Sequence, residues 1–123
     1  TQRASLADIL ADLPEQYRRL PLVVLDHQPA ALDEAREAGA ALELSGHTHY
    51  GQLWPFNFVV ERRYVNPLGL LTMGSFHSIV SAGTGTWGPP LRTTSRAQVL
   101  LVTVHFVPQN TPPEDTAPEN TAQ

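Results

Sequence analysis

The sequence predicts an α/β fold. The first reason is a strand, a helix and a second strand packed into about 25 residues, from Leu22 to Leu44, a βαβ unit whose crossover is long enough to require parallel pairing. The second is composition: 41% apolar residues in a chain of 123 with no cysteine describe one small domain that relies on a hydrophobic core and not on disulfides or thiolate metal sites. Charge bears on partners and not on the fold. All 8 basic residues are Arg, 12 residues are acidic and the net charge is −4, so the basic surplus that grips a phosphate backbone is missing and nucleic-acid binding is disfavoured.

Each element has its own justification. Ser5 to Leu13 reads as a short helix: Ser5 is the N-cap, Asp8 the acidic partner three residues on, Leu6, Ile9, Leu10 and Leu13 form one stripe, and Pro14 ends it. Leu22 to Leu25, a Val-rich run after Pro21, reads as a buried strand. Pro29 opens a helix running to about Ala38, with Asp33 and Glu34 near the positive end of its dipole and Gly39 closing it. Ala41 to Leu44 is the second strand, and Phe76 to Ser81 and Ala97 to Phe106 are further strands, the last for its run of Val and Leu. Residues 1–107 make up the domain. From Pro108 to Gln123 four of the 11 prolines, three of the acidic residues and little apolar content predict a disordered tail that carries −3 of the −4 net charge. No apolar run approaches the roughly 20 residues of a membrane helix, so the chain is expected to be soluble as given, its compartment unspecified.

The βαβ unit also locates the chemistry. In a parallel sheet both strands end on one edge, and open α/β sheets bind ligands outside those carboxyl ends. His27 follows the first strand, and His47 and His49 follow the second after Gly46, so three imidazoles are expected on one edge, a donor set for a divalent ion. Asp26 is either a carboxylate that orients the surroundings of His27 or a cap for the helix near Pro29. Gly83, Thr84 and Gly85 with Arg92 could cradle a phosphate through backbone N–H groups and a guanidinium, and are otherwise a turn. Trp54, Pro55, Phe56 and Phe58 could wall a substrate cleft, and are otherwise expected to pack the loop over the sheet edge. His77 and His105 are read as structural and Arg62-Arg63 as a solvated pair.

Two stretches carry a resemblance. Asp26-His27-Gln28-Pro29, followed about twenty residues later by Leu44-Ser45-Gly46-His47-Thr48-His49-Tyr50-Gly51-Gln52, resembles the last two metal-binding motifs of the calcineurin-like metallophosphoesterases. Val80-Ser81-Ala82-Gly83-Thr84-Gly85-Thr86-Trp87-Gly88-Pro89-Pro90-Leu91-Arg92 is similar to the segment that follows them in the bacterial, often membrane-associated branch. The resemblance runs from Pro21 to Val107 and implies the C-terminal half of a four-layer αββα sandwich. It implies hydrolysis of a phosphate ester or pyrophosphate bond at a centre of two divalent ions, Mn, Fe or Zn. His27 and His47 would bind the second ion, and His49 would bind the first and lie near the phosphate, as a catalytic residue. The substrate would be a phosphorylated small molecule or a lipid-linked phosphate.

The family's other ligand motifs, which include the bridging carboxylate, lie N-terminal to the part seen here. The resemblance therefore implies a chain inactive alone, completed by the N-terminal half in cis or in trans. Tyr50 stands where a small residue is common and is expected to narrow the approach to His49. A half domain would also leave an apolar sheet face open, so self-association is expected. The alternative function is a non-catalytic metal-binding or assembly module.

Overall fold

A computed structural model describes residues 4–107. The tail expected over 108–123 lies outside the described residues.

Helix α1 spans Leu6–Ala11. The Ser5 hydroxyl accepts from the Asp8 N–H at 3.1 Å, the N-cap that the sequence predicts, and donates to the Asp8 carboxylate at 2.7 Å. A 3-10 turn at Glu15–Tyr17 leads into strand β1, Leu22–Leu25. Helix α2, Leu32–Glu37, begins later than Pro29. Residues 28–31 instead form a tight turn in which the Ala30 N–H reaches the Gln28 carbonyl at 2.8 Å. Gly39 at φ +81° reverses the chain into strand β2, Ala40–Ser45. Glu34 ties the two helices together by accepting the Leu6 N–H at the start of α1.

Helix α3, Asn57–Arg63, and the hairpin of strands β3, Gly69–Met73, and β4, Phe76–Val80, complete the order. The four strands form one mixed sheet in the order β1-β2-β4-β3. β1 pairs with β2 and β2 with β4 in parallel, whereas β3 and β4 are antiparallel. The βαβ unit is therefore present, and a third parallel strand ends on the same edge.

The core lies on one face of the sheet. Leu32 and Ala35 of α2 are buried against Ala40 and Phe76, and Leu6, Leu22, Val24, Leu71 and Met73 pack around them. Burying one side chain of Leu or Phe size is worth roughly 1.5–3 kcal/mol, so this cluster positions α1, α2 and the sheet as one unit. The opposite face carries Val23, Leu25 and Leu70, all exposed.

The structure corrects the expected strand at Ala97 to Phe106: these residues join no ladder. Val99, Leu101 and Phe106 are exposed, and residues 102–107 border a cavity of about 490 Å³ on the open face, beside Leu42, Leu70 and Ile79. β-propensity describes the fit to a pleated, half-buried surface, and this segment has no strand neighbour to supply one. Trp54, Phe56 and Phe58 are a second correction. They are exposed and do not pack over the edge, because α3, which Phe58 joins, has no buried residue.

Candidate metal centre

The parallel strands deliver the three histidines to one edge by extending their ladder. The Asp26 N–H reaches the Leu44 carbonyl at 3.1 Å, the Gly46 N–H reaches the His27 carbonyl at 3.3 Å, and on the other side the Ser81 N–H reaches the Ser45 carbonyl at 2.9 Å. His27 is thus in register with Gly46, one residue before His47. Asp26 braces the same corner, accepting the Gln28 N–H at 3.3 Å. His27, His47, Thr48, His49, Gln52 and Trp87 border one cleft of about 590 Å³.

The backbone of this corner is strained. His47, His49, Tyr50 and Gln52 have φ of 64°, 46°, 50° and 54°, in the left-handed region that non-glycine residues seldom occupy. Such outliers persist where the surroundings over-determine them, and they cluster at functional sites. The surroundings here are specific. The Thr48 hydroxyl donates to the Pro67 carbonyl at 2.9 Å and accepts from the Tyr50 N–H at 3.2 Å. Residues 93–95 then take the loop's carbonyls in turn: the Ser95 hydroxyl bonds that of His49 at 2.9 Å, the Thr94 hydroxyl that of Tyr50 at 2.8 Å, and the Thr93 N–H that of Gln52 at 2.8 Å. Tyr50 itself donates from its hydroxyl to Glu61 of α3 at 2.5 Å, a bond that raises the phenol's pKa by favouring its protonated form.

Of the three imidazoles, the structure joins two directly. His27 Nε2 and His47 Nδ1 are 2.9 Å apart, with the rings nearly edge-on at 69°. One nitrogen holds the shared proton and the other accepts it. A further proton is disfavoured: burial, and then the positive charge that His27 and His49 would carry, lower the pKa of His47 from its ordinary value. The pair suits a cation in another way. Neutral imidazole nitrogens brought this close would offer their lone pairs to one divalent ion.

His49 is held differently. Its Nδ1 lies 3.1 Å from the Ala82 carbonyl and 3.2 Å from Arg92 Nη2. The guanidinium is itself a donor to the carbonyls of Ala82, Gly83 and Gly85 and to the Ser95 hydroxyl, so the carbonyl of Ala82 is the natural acceptor for a proton on His49 Nδ1. That tautomer leaves Nε2 as the ring's lone-pair nitrogen. The loop after β4 therefore turns carbonyls toward Arg92, while the Gly83 N–H goes to the Ser81 hydroxyl at 3.0 Å. A side chain on Gly83 would begin 3.8 Å from the His49 ring, so this glycine lies directly behind it. Among the described residues no three His, Cys, Asp or Glu side chains form a group able to hold an ion.

Two residues that the sequence reading quoted within its motifs without a role of their own organise the site. Gln52, 5% exposed, donates from Nε2 to the carbonyls of Trp87 at 2.8 Å and Pro89 at 3.2 Å and accepts the Trp87 N–H at 2.6 Å. Its amide thus pairs with Trp87 as a neighbouring strand would. Trp87 is the aromatic residue at the cleft, in place of the Trp54 group. Nothing local in the sequence marks the buried partners of Gln52.

The chain is similar in sequence to known proteins. The chain is 33% identical over 105 residues to an uncharacterized metallophosphoesterase of Helicobacter pylori, which is 84% of this chain and 28% of that protein. It is 36% identical over 81 residues to one of Campylobacter jejuni, covering 65% of this chain and 22% of that protein. A Bos taurus transmembrane protein with a metallophosphoesterase domain is 37% identical over 93 residues, 72% of this chain and 20% of its own length. The chain thus spans less than a third of the curated relatives it matches. No family model matches and no solved structure matches. No helix among the described residues is long and apolar enough to cross a membrane. With its histidines gathered at the carboxyl edge of a parallel sheet and its sequence shared with these proteins, the chain belongs to the calcineurin-like metallophosphoesterase family.

Proposed function

We propose that this chain supplies His27, His47 and His49 to a centre of two divalent ions, Mn, Fe or Zn, that hydrolyses a phosphate ester or pyrophosphate bond. The observation that carries the reading is the 2.9 Å approach of His27 Nε2 to His47 Nδ1 at the joint end of two parallel strands. Such ions supply Lewis acidity and a nucleophilic hydroxide at neutral pH. The chain's own residues have distinct tasks. His27 and His47 offer two nitrogens that resist double protonation. His49, its ring fixed by an Nδ1–H donated to the Ala82 carbonyl that Arg92 also holds, directs Nε2 to the phosphoryl group or to an ion. Arg92 is in this reading a positioning residue for His49, with Thr84 and Gly85 left to approach the phosphate. Asp26 stiffens the corner beneath His27.

Bridging carboxylates and a second sheet, which would complete a four-layer sandwich, come in this reading from the part that the relatives carry beyond the matched stretch. The chain alone is then inactive and gains hydrolysis when that part is restored in cis or in trans. A second reading, a metal-binding or assembly module without catalysis, is favoured by the exposed Val23, Leu25 and Leu70 on the open face. Elemental analysis of the purified chain after exposure to Mn²⁺ or Zn²⁺ tests the metal assignment. The expected result is at most one ion per chain, lost in both His27→Ala and His47→Ala; an ion retained by both variants would overturn it. Restoration of the remaining part without hydrolysis would favour the module.

A further inference from the structure

Trp87 is 79% exposed at the border of the cleft that holds the histidines. Its main chain, in contrast, is fixed. The buried Gln52 amide bonds both its N–H and its carbonyl, Gly88 turns the chain at φ +68°, and Pro89-Pro90 follows, with the Pro89 carbonyl accepting from Gln52 and from the Leu91 N–H. The fold thus secures the Cα of this residue while leaving its indole in water. An indole in that position forgoes the gain of burial. It offers instead a flat apolar face, held at one side of a polar site, on which another planar group can stack.

We propose that Trp87 is the platform for the leaving group, and that the phosphate ester hydrolysed here carries an aromatic or other planar apolar group on its alcohol side. The proposal rests on the phosphoesterase reading and extends it: the imidazoles take the phosphoryl end, and the indole takes the group that departs. Trp87 is then a specificity-determining residue whose contribution belongs to one class of ester.

The test is calorimetric titration of the full chain, with Mn²⁺ present, with 1-naphthyl phosphate and with methyl phosphate. Wild type is expected to bind the naphthyl ester about tenfold more tightly, the scale of one aromatic contact. Trp87→Ala should remove that advantage, and Trp87→Phe should keep most of it. If methyl phosphate binds and the naphthyl ester has no advantage, or the advantage survives Trp87→Ala, the platform is overturned and the phosphoesterase reading stands. If neither ester binds, the platform is overturned for this chain, and the phosphoesterase reading is judged separately, by hydrolysis once the remaining part is restored.

Discussion

His47 shows how a side chain's neighbours set its chemistry. Its pKa is lowered by burial first and by the two other imidazoles second. In protein treated with chelator, the neutral ring is therefore favoured by the fold. The unfolded chain takes up its proton near pH 6.5, while the folded chain resists, so this contribution to stability is complete above about pH 6.5 and is lost as the pH falls below it. NMR titration of the imidazole Cε1–H should give His47 a midpoint below 6.5, and His27→Ala should move it upward. Gln52 is the second residue of consequence. Gln52→Ala removes both partners of the Trp87 main chain and should lower stability by about 2 kcal/mol in urea denaturation. The three histidines were legible in the sequence because each follows a strand on the same edge. Gln52 was not, because its partners lie 35 and 37 residues away and are main-chain groups, which leave no mark in residue type.

Among the elements, the corner between β2 and α3 is the most constrained. A Cβ on Gly51, at φ +73°, would fall 2.3 Å from the Asn57 nitrogen, and that neighbour is backbone at the start of a helix. Gly51→Ala should therefore destabilise the chain by about 3 kcal/mol or more in the same assay, well beyond the usual effect of a surface substitution. The regular elements followed local signals to different degrees. β1 and the Ser5 cap of α1 were readable from a Val-rich run and a polar residue three positions before Asp8. Strand β3 was not, because its Leu-Leu-Thr-Met run has side chains that suit helices equally well and becomes a strand by pairing with β4 through the Gly74-Ser75 turn. Helix α3, with Phe58, Val59 and Val60, has low intrinsic propensity, and its ties to the corner through Glu61 are tertiary.

For the whole molecule, the sheet has one covered face and one open face. Helices α1 and α2 bury Phe76 and its neighbours, while Val23, Leu25 and Leu70 remain exposed opposite them, bordered by the irregular segment 102–107. Exposed apolar surface of this kind favours association. Light scattering coupled to size-exclusion chromatography should accordingly show species larger than a 13.5 kDa monomer, and Leu25→Lys with Leu70→Lys should shift the population toward monomer. A clean wild-type monomer with cooperative unfolding would count against that expectation. The α/β class was legible because periodicity and crossover length are local properties. The state of the second face was legible through the family resemblance alone, since what covers a sheet depends on chain that its own residues do not describe.

The juxtaposition of His27 and His47 has a mechanical consequence. They stand 20 positions apart along the chain, and what separates them is the whole crossover through α2. A cation grasped by both rings would close that crossover into a ring, as a covalent staple would. Held by the folded chain and not by the unfolded one, such an ion would stabilise the crossover by mass action, about 2.7 kcal/mol at a free concentration a hundred times its Kd. Metal addition should then protect the amides of α2 and of β1 from hydrogen exchange more than those of α3, although no residue of α2 touches the cleft.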